Sequence, residues 1–344
     1  MTAATAAPTR IVLHDHLDGG LRPQTVLDLC AEQGVDAPGG SAAQVGEWFF
    51  RAADSGSLER YLSTFGLTVG LMQNAEALRR VACEFVLDMA ADSVVYAETR
   101  WAPQLHLRDG LDVEQAVEAV AEGLGEGMAL AADRGTPVVA RQILCLMRHL
   151  PVDEAVVDAV VSGAPLVVGM DVAGPEEGHP LARLADPLRR VREAGRHLTL
   201  HAGEGAGVAS VAEALDLGAE RLGHGVRVVE DLTGPADDPG PTATRVLDRS
   251  VPLEVCPTSN LQTGVAATMA DHPLPRLWRR GFALTVNPDN RLMSRTTPSR
   301  ELGLAARACH WDDADLARVT RTALDAAFCS EADRQQVARL IDAG

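Results

Sequence analysis

The sequence predicts an α/β chain folded as a (β/α)8, or TIM, barrel with a helical insertion after its first strand. Three observations predict it. Eight short apolar runs suited to buried parallel strands recur along the chain. Amphipathic stretches of helical period lie between them. At 344 residues the chain exceeds the roughly 250 of an ordinary barrel, and the surplus falls between the first and second runs.

The elements follow in order. Met1 to Arg10 are small and polar, with no apolar stretch of signal-peptide type, and read as a short disordered leader before one domain spanning 11–344. The eight runs are Ile11 to Leu13, Val94 to Glu98, Val138 to Met147, Pro165 to Asp171, His197 to Leu200, Arg221 to Gly223, Val251 to Val255 and Phe282 to Val286. One crossover needs roughly 10–12 residues. The much longer stretch before Val94 carries several helical patterns and predicts a lid, Leu21 to Met89, folded over the barrel mouth. Asp112 precedes Gln115 by three residues, a capping box, and Gly135 closes that helix. Asp153 and Glu154 open the next helix, and Gly195 stops the one from Leu181 to Ala194. A doubly wound open sheet would place a glycine-rich loop after an early strand, and this chain has none.

Composition excludes several classes of function. Apolar residues make up 46%, enough for a sizeable core, yet no apolar run approaches the 18 or so residues of a membrane span. The expected location is the cytoplasm. A net charge of −17 repels phosphate backbones, which argues against a nucleic-acid partner. Cys30, Cys83, Cys145, Cys256, Cys309 and Cys329 form no CxxC pair and read as reduced, buried small hydrophobes. All 31 basic residues are arginine, so a Schiff-base lysine and a metal site bridged by a modified lysine are both excluded. Nothing in the sequence sets the oligomeric state.

The chemistry collects at strand ends. His14 and His16 flank Asp15 at the end of the first run, and side chains two apart on a strand share a face. The fifth run ends in His201-Ala202-Gly203-Glu204, the sixth at His224, and the eighth in Asn287-Pro288-Asp289-Asn290. Parallel barrel strands all exit at one face, where the active site forms. His14, His16, His201, His224, Glu204 and Asp289 therefore converge. Three histidines and an aspartate make a borderline donor set suited to one Zn²⁺ per subunit, with water in the open position. His106, His149, His179, His197, His272 and His310 read as surface or structural.

Motifs in order resemble the adenosine deaminase family over nearly the whole chain. They are His14-Asp-His-Leu-Asp-Gly19, Tyr96-Ala-Glu-Thr-Arg100, Leu146-Met-Arg-His149, Met170-Asp-Val-Ala-Gly174, His201-Ala-Gly-Glu204, Arg221-Leu-Gly-His-Gly225, Glu254-Val-Cys-Pro-Thr-Ser259 and Pro288-Asp-Asn290. The resemblance implies that His14, His16, His201 and Asp289 bind zinc and a water. It implies that His224 helps deprotonate or orient that water, with Asp289 touching it too. Glu204 would donate a proton to purine N1, Asp18 would accept a hydrogen bond from the ribose, and the Gly174 N–H would meet a ring nitrogen on the opposite edge. His16 and Asn290 would also contact substrate. Asn290 stands where many members have a second aspartate facing purine N7, and an amide can donate there without being protonated. Pro288 replaces the usual small hydroxyl residue and removes a backbone donor.

The implied reaction is hydrolysis of adenosine or 2′-deoxyadenosine to the inosine form plus ammonia. The alternatives are a sibling deaminase of adenine or of a modified 6-aminopurine nucleoside, and a non-catalytic purine-binding relative. Zinc deaminases of nucleic-acid bases need Pro-Cys-x-x-Cys, and Cys256-Pro257 has no second cysteine in place.

Overall fold

The structure is a computed structural model, and it describes residues 9–343. Residues 1–8 of the expected leader lie outside the described residues, while Arg10 already belongs to the first strand. The chain runs β1 (Arg10–His16), α1 (Pro23–Gln33), α2 (Ala42–Ala53), α3 (Leu58–Leu62), α4 (Phe65–Leu71), α5 (Ala75–Ala91), β2 (Val94–Trp101), α6 (Val113–Asp133), β3 (Val139–Met147), α7 (Glu154–Ser162), β4 (Val167–Ala173), α8 (Ala185–Glu193), β5 (His197–Ala202), α9 (Val208–Asp216) and β6 (Arg221–His224). A small antiparallel hairpin, β7 (Leu232–Thr233) with β8 (Asp238–Pro239), precedes α10 (Pro241–Asp248). Then come β9 (Leu253–Val255), α11 (Pro257–Gln262), α12 (Leu274–Arg280), β10 (Leu284–Val286), α13 (Pro298–Cys309), α14 (Asp313–Ala326) and α15 (Glu331–Ala343).

Eight strands pair in the order β1-β2-β3-β4-β5-β6-β9-β10, every pair parallel. The circle closes between β1 and the segment after β10 through a backbone bridge at Asp15 and Asp289 and through a side chain. Asn287 Oδ1 accepts from the Leu13 and His14 amides at 2.8 and 3.2 Å, while its Nδ2 donates to Thr285 Oγ1 at 2.9 Å. The expected helix signals hold: Asp112 and Gln115 form a reciprocal capping box, and Gly135 and Gly195 both turn with positive φ.

Strand alternation divides the core. Leu198, Leu200 and Ala202 share one face of β5 within the apolar layer, while Thr199 and His201 take the other. On β2, Tyr96, Glu98 and Arg100 share a face and meet buried groups across the barrel: Arg100 reaches Asp171 at 2.8 Å and Glu254 at 2.7 Å, and Glu98 accepts from Arg221 at 2.5 Å. The barrel axis is thus a charged column beneath the strand ends.

The insertion after β1 is helical, with α1 through α5 between Pro23 and Ala91. Its parts differ in position. α5 packs on β2 and α6 as the crossover helix of the first βα unit, whereas residues of α3 and α4 line the cavity at the barrel mouth.

Candidate active site

All the strand-end residues expected to converge do so. His14 and His16 end β1, His201 lies on β5, His224 ends β6, and Asp289 follows β10. His14 Nε2 and His16 Nε2 lie 3.3 and 3.4 Å from Asp289 Oδ1, and His16 Nε2 lies 3.3 Å from His201 Nε2. The proline before Asp289 does not dislodge it. The Asp289 amide donates to His14 O at 3.1 Å, and its carbonyl accepts from the His16 amide at 2.7 Å. Asp289 and His224 hold left-handed φ of 60° and 59°, strain of the kind that persists only where the surroundings impose it.

Carboxylates behind the histidines decide which nitrogens face the centre. Glu254 Oε2 accepts from His14 Nδ1 at 3.0 Å, and Asp171 Oδ2 lies 2.8 Å from His201 Nδ1. Each pairing leaves Nε2 bare and aimed inward. Burial alone would raise both carboxyls. Arg100 with Arg221 holds Glu254 well below the usual carboxylate range, and His201 with Arg100 does the same for Asp171. Neither carboxylate was assigned a role from sequence, although both lie in the family-type motifs.

The centre fits a metal ion. His14 Nε2 and Asp289 Oδ1 are buried without hydrogen-bond partners, and two imidazole nitrogens confront one another across 3.3 Å. The ligand atoms of His14, His16 and His201 lie within 4.8 Å of one another, as do those of His14, His224, Cys256 and Asp289. Nitrogen and carboxylate oxygen at such spacing suit a borderline divalent ion. Burial pushes the Cys256 thiol well above its ordinary value, and its Sγ faces Glu254 O at 3.4 Å, so it is a protonated neighbour.

A cavity of about 370 Å³ opens over the cluster, within the range of small-molecule sites. His16, Asp18, Gly174, His201, Glu204, His224, Asp289 and Asn290 all line it, and His14 lies just behind. Gly174 has φ +99°, and a Cβ there would meet His149 Nδ1 at 2.9 Å, so glycine gives the chain its close approach. Asn290 Oδ1 is buried against Gly19, leaving no room for a Cβ at that residue. The roof is Leu58, Tyr61, Leu62, Phe65 and Val69. Of the six histidines read as surface or structural, His149 lines the cavity, while His106 and His272 are buried; single-residue reading has no means of seeing this.

Glu204 owes its place to Glu176, which sequence reading missed. The Glu176 carboxylate accepts from the amides of Gly203, Glu204, Gly205 and Ala206 at 3.0, 2.9, 3.2 and 3.2 Å. Glu204 is itself buried, 3.4 Å from His224 Nε2. Burial, with Asp289 and Glu176 close by, raises its carboxyl well above the usual range. For Asp289 burial works the same way, but the hydrogen bond and charge of His14, then His224 and His16, hold it well below that range. Adjacent carboxyls pushed apart this way mark one proton donor and one ionised group.

Fold and site together define a class: a barrel hydrolase built around a metal-type cluster at the carboxyl ends of its strands. The family model described as adenosine deaminase matches residues 9–344. An adenosine deaminase of Mycobacteroides abscessus is 46% identical over 342 residues, covering 95% of this chain and 92% of that protein. The chain belongs to the adenosine deaminase family. Among solved structures, an adenine deaminase from Arthrobacter aurescens superposes with a TM-score of 0.85 at 24% identity, covering 98% of this chain and 99% of that one. The N6-mAMP deaminase of Arabidopsis superposes at 0.83 with 25% identity, covering 98% of each.

Proposed function

We propose that this chain hydrolyses adenosine and 2′-deoxyadenosine to inosine and 2′-deoxyinosine, releasing ammonia, with one Zn²⁺ per subunit. His14, His16, His201 and Asp289 would hold the ion. When bound it supplies the Lewis acidity that brings the pKa of a coordinated water to about 7.

The observation that carries the reading is Glu204: a buried carboxyl, kept protonated by its surroundings, facing the same cavity as the cluster. Displacing an aromatic amine by hydroxide requires electrons to leave the ring toward a nitrogen, and an acid on N1 receives them as a new N–H bond. Ionised Asp289 accepts the proton that the attacking water sheds. His224, held neutral by burial well below its ordinary value, orients that water. Asp18 faces the cavity as an acceptor for a ribose hydroxyl, the Gly174 amide reaches the far ring edge, and the Asn290 amide donates to N7. The apolar roof excludes bulk water.

The lining also bears on substrate class. Among the described residues no arginine lines the cavity, the chain has no lysine, and Asp18, Glu59, Glu204 and Asp289 all contribute carboxyls. A phosphate would find no arginine or lysine to pair with and several repelling carboxyls. A nucleoside fits this site better than a nucleotide, and the 46% identity to an adenosine deaminase points the same way. Purified enzyme should show its highest kcat/KM on adenosine or 2′-deoxyadenosine, with adenine and the 5′-monophosphate at least a hundredfold lower, on the order of a missing set of polar contacts. Preference for either of the latter would overturn the assignment. Among the described residues no helix is long and apolar enough to cross a membrane.

A further inference from the structure

A buried hydrogen-bonded chain leads from helix α12 to His224. The Leu274 amide, at the start of α12, donates to His272 Nδ1 at 3.0 Å. His272 Nε2 lies 3.3 Å from Asn260 Oδ1, and Asn260 Nδ2 lies 3.0 Å from His224 Nδ1. His272 is 3% exposed, Asn260 0% and His224 1%, so water has little part in the chain.

The direction of this chain is set by its far end. A backbone N–H can only donate, so His272 Nδ1 must be bare. A neutral imidazole with bare Nδ1 carries its proton on Nε2. That N–H donates to Asn260 Oδ1, which turns Nδ2 toward His224. His224 Nδ1 then accepts, and its proton sits on Nε2. Swapping the amide ends of Asn260 would set two N–H groups against each other at His272, so the backbone donor fixes the polarity of the amide. Burial holds His272 down to about 4, which keeps it neutral across the working pH range.

We infer that His272 and Asn260 are positioning residues that lock His224 as its Nε2–H tautomer, so that His224 meets the reaction centre as a hydrogen-bond donor and not as a base. Its Nε2–H faces the space between Glu204 Oε2, 3.4 Å away, and the ligand cluster. A donor there orients the oxygen of the attacking water and stabilises charge growing on it.

The inference deepens the proposed mechanism, but its main test needs no substrate. Zinc-loaded enzyme labelled with ¹⁵N-histidine should show His224 with its proton on Nε2, assigned by comparison with His224→Gln. Asn260→Asp replaces the donor that faces Nδ1 with an acceptor of the same shape, and the proton should move to Nδ1. On adenosine, kcat should then fall about a hundredfold with KM within about threefold, the size of a lost hydrogen-bond donor to charge developing in the transition state. His272→Gln can accept from Leu274 and still donate to Asn260, so it should keep the Nε2–H spectrum and kcat within about threefold. A native His224 protonated on Nδ1 overturns the inference. So does an Asn260→Asp enzyme whose tautomer flips while kcat stays within twofold. A native enzyme that ignores adenosine instead overturns the proposed substrate and leaves the tautomer to be read from the spectrum.

Discussion

Glu204 and Asp289 are two acidic side chains in one cavity, held in opposite protonation states by their surroundings. Burial and two nearby carboxyls protonate Glu204, while His14 and its neighbours keep Asp289 ionised. Glu204→Gln should therefore keep its metal content and lose at least several hundredfold in kcat, since a positioned proton donor contributes roughly 10²–10⁴. Metal analysis beside steady-state rates checks this; an unchanged kcat would remove Glu204 from the chemistry. The residues of this cluster were legible in the sequence because strand-end histidines in a parallel barrel have one face to occupy. Asn260 and His272 were not. One lies in the helix after β9 and the other before α12, and only the fold brings them together behind His224. Tyr61 was equally invisible, a residue of a short helix of the insertion whose buried hydroxyl lies beside Asn290 and Ser259.

At the scale of elements, the loop after β5 is a clasp. Glu176, from the loop after β4, gathers four successive amides and so aims Glu204 into the cavity. Its charge also helps raise the Glu204 carboxyl. An acid with a raised pKa holds its proton through neutral pH, and the enzyme loses its donor as pH climbs through the raised value. Activity should therefore have an alkaline limb. Glu176→Gln removes one negative neighbour and should move that limb to lower pH. It should also cost about 1–3 kcal/mol of stability, because the Gln NH₂ opposes buried amide donors. A pH profile of kcat/KM and a denaturant titration read both effects; a limb that stays put would show that Glu176 acts on Glu204 through geometry alone. Element order, the Asp112–Gln115 capping box and strand positions were readable from periodicity and turn chemistry; the second capping box, Asp312 with Asp315, was not singled out. The division of the insertion was not: five amphipathic helices look alike in sequence, and only packing shows that α3 and α4 roof the cavity while α5 serves the barrel wall.

Across the whole molecule, the barrel axis is charged where the sequence suggested continuous apolar strands. Arg100 is shared between Asp171 and Glu254, and Arg221 between Glu98 and Glu254. With Asp289 added at the top, this buried column favours a cation at its mouth. Removing the ion should leave bare imidazole nitrogens and a carboxylate confronting one another. Chelated protein should melt several degrees below zinc-loaded protein, since a ligand at a thousand times its Kd adds about 4 kcal/mol. Differential scanning fluorimetry measures this, and coincident melting curves would show that the cluster does not hold the ion. The alternation that hides the column is plain in hindsight. Tyr96 and Glu98 lie two apart inside a run that reads as apolar only when averaged, and Arg100 continues the same face of β2 two residues past the end of that run.

We propose that this cavity converts adenosine to inosine with a metal held by His14, His16, His201 and Asp289. Ultraviolet absorbance of zinc-loaded protein mixed with adenosine tests it most directly. Conversion to inosine should be rapid, abolished by a chelator and restored by added zinc. Protein shown to carry zinc that leaves adenosine unchanged would contradict it.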